Sequence, residues 1–87
     1  ELFDSARRRL HALMRGGCTT VEVKSGYGYD TASELRLLNV ARALGEREAV
    51  RISATLLALH ALPKGADRSA YVDMAVEEMI PTVARLG

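Results

Sequence analysis

Glu22-Val23-Lys24-Ser25-Gly26-Tyr27-Gly28-Tyr29-Asp30 decides how the chain is read. With Thr19-Thr20-Val21 ahead of it, this stretch is a β-branched run that favours a pleated, half-buried backbone. It stops in a tyrosine loop flanked by Gly26 and Gly28, which let the chain turn sharply and thrust Tyr27 outward. Asp30 or Thr31 then caps a helix, and Thr31-Ala32-Ser33-Glu34 has capping-box spacing. In parallel α/β architectures, ligands sit at the carboxyl ends of the strands, which is where Tyr27 emerges.

Going outward, Leu35, Leu38, Ala41 and Val40 or Leu44 form the buried face of that helix, and Gly45 is its expected end. Val50 to Leu59 reads as a second strand, ending at His60, with Leu62-Pro63 preventing continuation. Strand, helix, strand is the parallel crossover unit. Upstream, Leu2, Phe3, Ala6, Leu10, Leu13 and Met14 recur at helical spacing before Gly16-Gly17. Downstream, a helix starts at Ser69, and Pro81 either kinks it or opens another helical turn.

Composition narrows the function classes. The 87 residues carry a formal net charge of +1, which leaves no electrostatic footprint for nucleic acid or an anionic membrane. The single cysteine, Cys18, excludes an internal disulfide and agrees with a reducing, cytoplasmic setting. No apolar run reaches membrane-spanning length. Two strands and three helices cannot cover both faces of a parallel sheet. The expectation is therefore an incomplete domain, residues 1–87 being an internal segment of a larger parallel α/β fold.

Val21 and Val23 share one strand face, while Thr20, Glu22 and Lys24 share the other. That polar face either meets water or lines a polar interior, and a barrel suits the second reading better than an open sheet. Arg7-Arg8-Arg9 is read as a solvated helix face, and His11 as a surface or helix-end residue. Tyr27 and His60 each stand at the carboxyl end of a strand, so neighbouring strands would bring both to one mouth. On spacing alone, a loop tyrosine and a satisfied core histidine remain the plainer reading. Lys24-Ser25-Gly26 lacks the Gly-x-x-x-x-Gly of a phosphate loop. No His-x-His, Cys-x-x-Cys or His-Glu-x-x-His occurs, so no metal site is built from this segment alone.

These same residues carry a resemblance. Cys18 to Gly28 with Asp30, and Leu57-Ala58-Leu59-His60-Ala61-Leu62-Pro63, closely resemble the imidazolonepropionase family of metal-dependent amidohydrolases. Ser33 to Leu38, Tyr71-Val72-Asp73 and Glu77 to Pro81 also look like that family, so the likeness covers essentially the whole chain. Tyr29 departs from it where leucine is usual, and Leu59 where a small residue is expected. The resemblance implies part of an amidohydrolase (β/α)8 TIM barrel: a helix-strand-helix-strand-helix segment with two parallel strands. It implies hydrolysis of 4-imidazolone-5-propanoate to N-formimidoyl-L-glutamate, a step of histidine breakdown, by a water activated on zinc or iron. Tyr27 and His60 carry over as substrate-binding residues. The metal ligands and the acid–base residues would lie outside this segment, which alone would be inactive. A small-molecule substrate and a homo-oligomer are the expected partners. Two alternatives stay open: another cyclic-amide amidohydrolase, or a non-enzymatic α/β module in which Gly26-Tyr27-Gly28 only makes a turn.

Overall fold

A computed structural model describes residues 1–86; Gly87 lies outside the described residues. Helix α1 (Leu2–Arg15) leads into β1 (Thr20–Lys24), α2 (Thr31–Arg47) and β2 (Arg51–Thr55). A second helical stretch follows as α3 (Arg68–Met74), a π-helical turn (Ala75–Met79) and α4 (Ile80–Leu86). The two strands pair in parallel, with Val21 opposite Ile52 and Val23 opposite Ala54. The α/β reading with two parallel strands joined through a helix is what the structure shows.

Paired residues of a parallel ladder share a face, so this register sorts the sheet cleanly. Val21 and Ile52 pack against Leu10, Leu44 and Val50, together with Phe3, Ala6 and Val40 from the helices. The opposite face carries Thr20, Glu22, Lys24, Arg51, Ser53 and Thr55, and no apolar residue. A second, smaller core joins Ala58, Tyr71, Ala75 and Met79, with Leu56 and Met74 against it. The radius of gyration is 14.1 Å, against roughly 12 Å for a compact domain of this length. The chain is drawn out, 42 × 27 × 20 Å, around two small cores. None of the described helices is long and apolar enough to cross a membrane.

Several boundaries differ from the sequence reading, each for a physical reason. Helix α2 runs past Gly45 to Arg47, with Glu48 as its C-cap. A Cβ at Gly45 would come within 3.2 Å of the Ile52 Cβ, so the glycine admits close packing of α2 on β2 and does not end the helix. Strand β2 stops at Thr55, well short of Leu59, because Ser25 captures the next stretch. Its hydroxyl accepts the Leu57 amide at 3.1 Å, and His60 N–H then closes a turn on the Leu57 carbonyl. Leu2 and Leu13, placed by periodicity on the buried face of α1, are exposed. Pro81 is the second residue of α4, directly after the π turn. Proline lacks an amide and crowds the carbonyl four residues back, and a wider turn relieves both problems.

Helices α1 and α2 are latched by one carboxylate. Arg7 Nε donates to Glu48 Oε1 at 2.6 Å, and His11 Nε2 lies 2.7 Å from Glu48 Oε2. His11 and Arg7, in that order, hold the Glu48 carboxyl below its ordinary value of 4.5. A carboxyl lowered by folding contributes stability that is fully present above its unfolded pKa and lost as pH falls through the folded one. Glu48→Gln is therefore expected to be less stable than the parent at neutral pH. The gap should narrow below about pH 4.5 and close once the parent carboxyl is protonated. Denaturation midpoints of both proteins across an acid series check this; a gap that ignores pH would refute the latch.

Candidate functional site

The site is built at the carboxyl ends of the strands. Ser25 N–H donates to the Thr55 carbonyl at 3.0 Å, carrying the ladder one residue beyond β1. Gly26 then turns with φ +134°, a conformation L side chains rarely adopt. A Cβ there would also lie 2.9 Å from the His60 Cβ and 3.1 Å from the Leu57 carbonyl oxygen. The bare backbone at Gly26 is what lets His60 approach the loop. Tyr29 has φ +68°, an unusual conformation for a residue with a side chain.

Tyr27 and His60 meet. The tyrosine hydroxyl and His60 Nε2 are 3.1 Å apart, and the phenol either donates to the imidazole or accepts from it, according to the tautomer. Their rings are edge-on, with centroids 5.0 Å apart, and Tyr29 stands edge-on to Tyr27 on the other side at 6.3 Å. Tyr27 is 64 % exposed and His60 is exposed too, so the pair is open to solvent. His60 is no core histidine. Its ring is held by Tyr27 and by the close approach of Gly26, after a turn five residues beyond the end of β2.

Below the pair, on the polar sheet face, Thr55 donates its hydroxyl to Glu22 Oε1 at 2.8 Å. Lys24 Nζ lies 3.3 Å from Glu22 Oε2. The Thr55 hydrogen bond, then Lys24, holds the Glu22 carboxyl below the ordinary carboxylate value. Glu22 and Lys24 thus pair with each other, on a face that is solvent-exposed in this chain. A groove of about 540 Å³ lined by Leu35, Leu38, Val50, Ile52 and Leu86 lies on the other side of the sheet, away from Tyr27 and His60.

Two supporting residues were not legible as such. Ser25 is buried and joins the two strand ends through both its amide and its hydroxyl. Glu34, read as the acid of a capping box, does something else. Asp30 alone caps α2, its carboxylate accepting the Ser33 amide at 2.7 Å. The Glu34 side chain is fully buried and accepts the Gly26 amide at 3.1 Å and the Gly28 amide at 2.9 Å. The only sequence signal was a carboxylate in the first helical turn, one α-helical step behind a glycine loop.

Among the described residues, no three His, Cys, Asp or Glu side chains converge in a way that could hold a metal ion. The residues at hand are a phenol, an imidazole and a buried carboxylate fixing the loop between them. A phenol and an imidazole offer hydrogen bonds to a polar ligand.

Compared with curated proteins, the chain is 52 % identical over 85 residues to an imidazolonepropionase of Shewanella woodyi, an alignment covering 95 % of this chain. It is 53 % identical over 89 residues to that of Shewanella amazonensis. With the imidazolonepropionase of a Bradyrhizobium species it shares 51 % over 89 residues and 100 % of its length. The resemblance read from the sequence holds along nearly the whole chain. The chain spans about a fifth of the length of these relatives: 21 % of the first and 22 % of the other two. No family model matches it.

Proposed function

We propose that this chain is an internal segment of an imidazolonepropionase, in which Tyr27 and His60 contact the substrate, 4-imidazolone-5-propanoate. The enzyme reading makes the whole protein a hydrolase of a cyclic amide, opening the imidazolone ring to N-formimidoyl-L-glutamate. The observation that carries it is the Tyr27–His60 pair at the carboxyl ends of two parallel strands, in a chain about half identical to imidazolonepropionases. The fold reading is a piece of a (β/α)8 barrel. Helices cover the outside of such a barrel, so the sheet face opposite α2 would be its interior. The all-polar row from Thr20 to Thr55 on that face supports this.

Each residue has a distinct part. The Tyr27 hydroxyl is a hydrogen-bond donor for the substrate carboxylate or ring oxygen. In this reading the His60 imidazole stabilises charge that develops on the ring carbonyl oxygen as water attacks. His60 and the turn after β2 hold the phenol at a fixed distance, so the two groups act as one edge of the binding site. Family membership implies zinc or iron in the whole enzyme. In this reading the ligands of such an ion lie on residues beyond this segment.

Two measurements on the full-length protein test the proposal. The parent is expected to hydrolyse 4-imidazolone-5-propanoate, and a protein inert towards it would end the reading. Tyr27→Phe removes one hydrogen bond to a charged group, about 1.5–3 kcal/mol or roughly ten- to a hundredfold in affinity. A contact equally good in the ground and transition states is lost mainly in KM. A Tyr27→Phe variant with unchanged KM would remove Tyr27 from the substrate site.

A further inference from the structure

We infer that Glu34 is a positioning residue for the Tyr27–His60 pair: its buried carboxylate clamps the loop amides on both sides of Tyr27. The inference rests on the proposed reading of that pair as a substrate site.

The geometry is unusually one-sided for a helix-start carboxylate. Glu34 sits in the first turn of α2, where a surface carboxylate would serve the helix's own free amides. Its side chain is 0 % exposed and turned towards the loop. One oxygen takes the Gly28 amide at 2.9 Å and the other the Gly26 amide at 3.1 Å. Tyr27 is the single residue between those two amides. With the amides on both sides held, the backbone at Tyr27 is restrained, and its side-chain torsions direct the phenol. It goes to His60, 3.1 Å away. The loop is also pressed against the helix, since a Cβ at Gly28 would fall 2.6 Å from the Glu34 amide nitrogen.

The surroundings are buried. The Tyr71 hydroxyl is buried without a hydrogen-bond partner among the described residues, as is the Thr31 hydroxyl. Burial first, and then the nearby Glu34 charge, pushes the Tyr71 phenol up. In such a setting hydrogen bonds to a carboxylate are strong, and a side chain without acceptors would leave the Gly26 and Gly28 amides unpaired. A carboxylate, with an acceptor on each oxygen, holds two donors at once. The carboxylate at position 34 is therefore explained by what it does to the loop.

The test is a double-mutant cycle in the full-length enzyme, with kcat and KM for 4-imidazolone-5-propanoate measured on the parent, Glu34→Gln, Tyr27→Phe and the double variant. Glutamine offers one acceptor oxygen where glutamate offers two, so one loop amide loses its partner. Glu34→Gln is expected to raise KM about tenfold, the loss of one charge-assisted hydrogen bond's worth of loop order. In the Tyr27→Phe background the same substitution should change KM by less than about twofold, because the group being positioned is already gone. Equal effects in both backgrounds would mean that Glu34 only supports the fold, and would overturn the inference alone. An unchanged KM in Glu34→Gln would overturn it as well. A parent that does not turn the imidazolone over would overturn the substrate-site reading, and this inference with it. If Glu34→Gln does not fold, the cycle is run with Glu34→Asp, whose shorter carboxylate reaches one amide only, and the same outcomes decide.

Discussion

Gly28→Ala is expected to destabilise the full-length protein by about 3 kcal/mol, the upper end of the range for overpacking a filled site. The added methyl would stand 2.6 Å from the Glu34 amide nitrogen, 2.9 Å from the Ser33 carbonyl carbon and 3.1 Å from the Glu34 Cα. All three are backbone atoms of the first turn of α2, which Asp30 pins through the Ser33 amide. A flexible side chain would swing aside, but a capped helix start moves only as a unit. The loop must give way, and in doing so it surrenders the Gly28–Glu34 hydrogen bond. Gly65→Ala is the control: its φ is +81°, yet nothing lies within 4 Å of the new methyl. Only backbone strain acts there, on the order of 1 kcal/mol. Denaturant midpoints at unchanged slope separate the two. A Gly28→Ala protein no less stable than Gly65→Ala would show that the loop does not rest on α2.

The second large effect concerns turnover. His60→Ala is expected to lower kcat in the full-length enzyme by about 10²–10³, the loss on removing one preorganised donor to a developing oxyanion. Its effect on kcat should exceed that of Tyr27→Phe, because a contact to a developing oxyanion strengthens as charge builds, whereas a contact equally good in the ground and transition states is lost mainly in KM. Alanine at 60 also deprives the Tyr27 hydroxyl of its 3.1 Å partner, so part of the Tyr27 loss should appear in the same variant. The two substitutions should accordingly combine less than additively. Metal content of purified His60→Ala should equal that of the parent. Stoichiometric loss would make His60 a ligand and end its assignment as a substrate contact.

Local chemistry made much of the frame readable. The β-branched run of β1 forms a strand, Asp30 caps α2, and the polar and apolar residues of β1 fall on opposite faces of the sheet. Each of these depends on near neighbours in the chain, and near neighbours are visible. What was not readable depends on which distant atom arrives. Gly45 looks like a helix stop unless Ile52 is known to lie against it. Leu56 to Leu59 look like strand, and only the capture of Leu57 by Ser25 shows why they leave the sheet. The sequence points to a strand end for His60; it stands on the following turn, yet still reaches Tyr27 because Gly26 leaves room. Glu34 presented the spacing of a capping box, and nothing in that spacing reveals that its oxygens face the loop.

The π-helical turn at Ala75–Met79 bears on the phase of the last helical stretch. Tyr71, Ala75 and Met79 are spaced by four, and all three are buried in the same cluster. In a regular α-helix a four-residue step overshoots a full turn by about 40°, so two such steps would carry Met79 roughly 80° round from Tyr71. A wider turn rotates less per residue and absorbs that drift. Met79, at 0 % exposure, thereby stays on the meridian that Tyr71 begins. The numerical spacing of apolar residues here matches neither three nor three-and-a-half, and the local winding of the helix is adjusted to the spacing. Removing one residue between 75 and 79 would let the stretch wind as a regular α-helix, with Met79 seven residues from Tyr71 and only about 20° off its meridian.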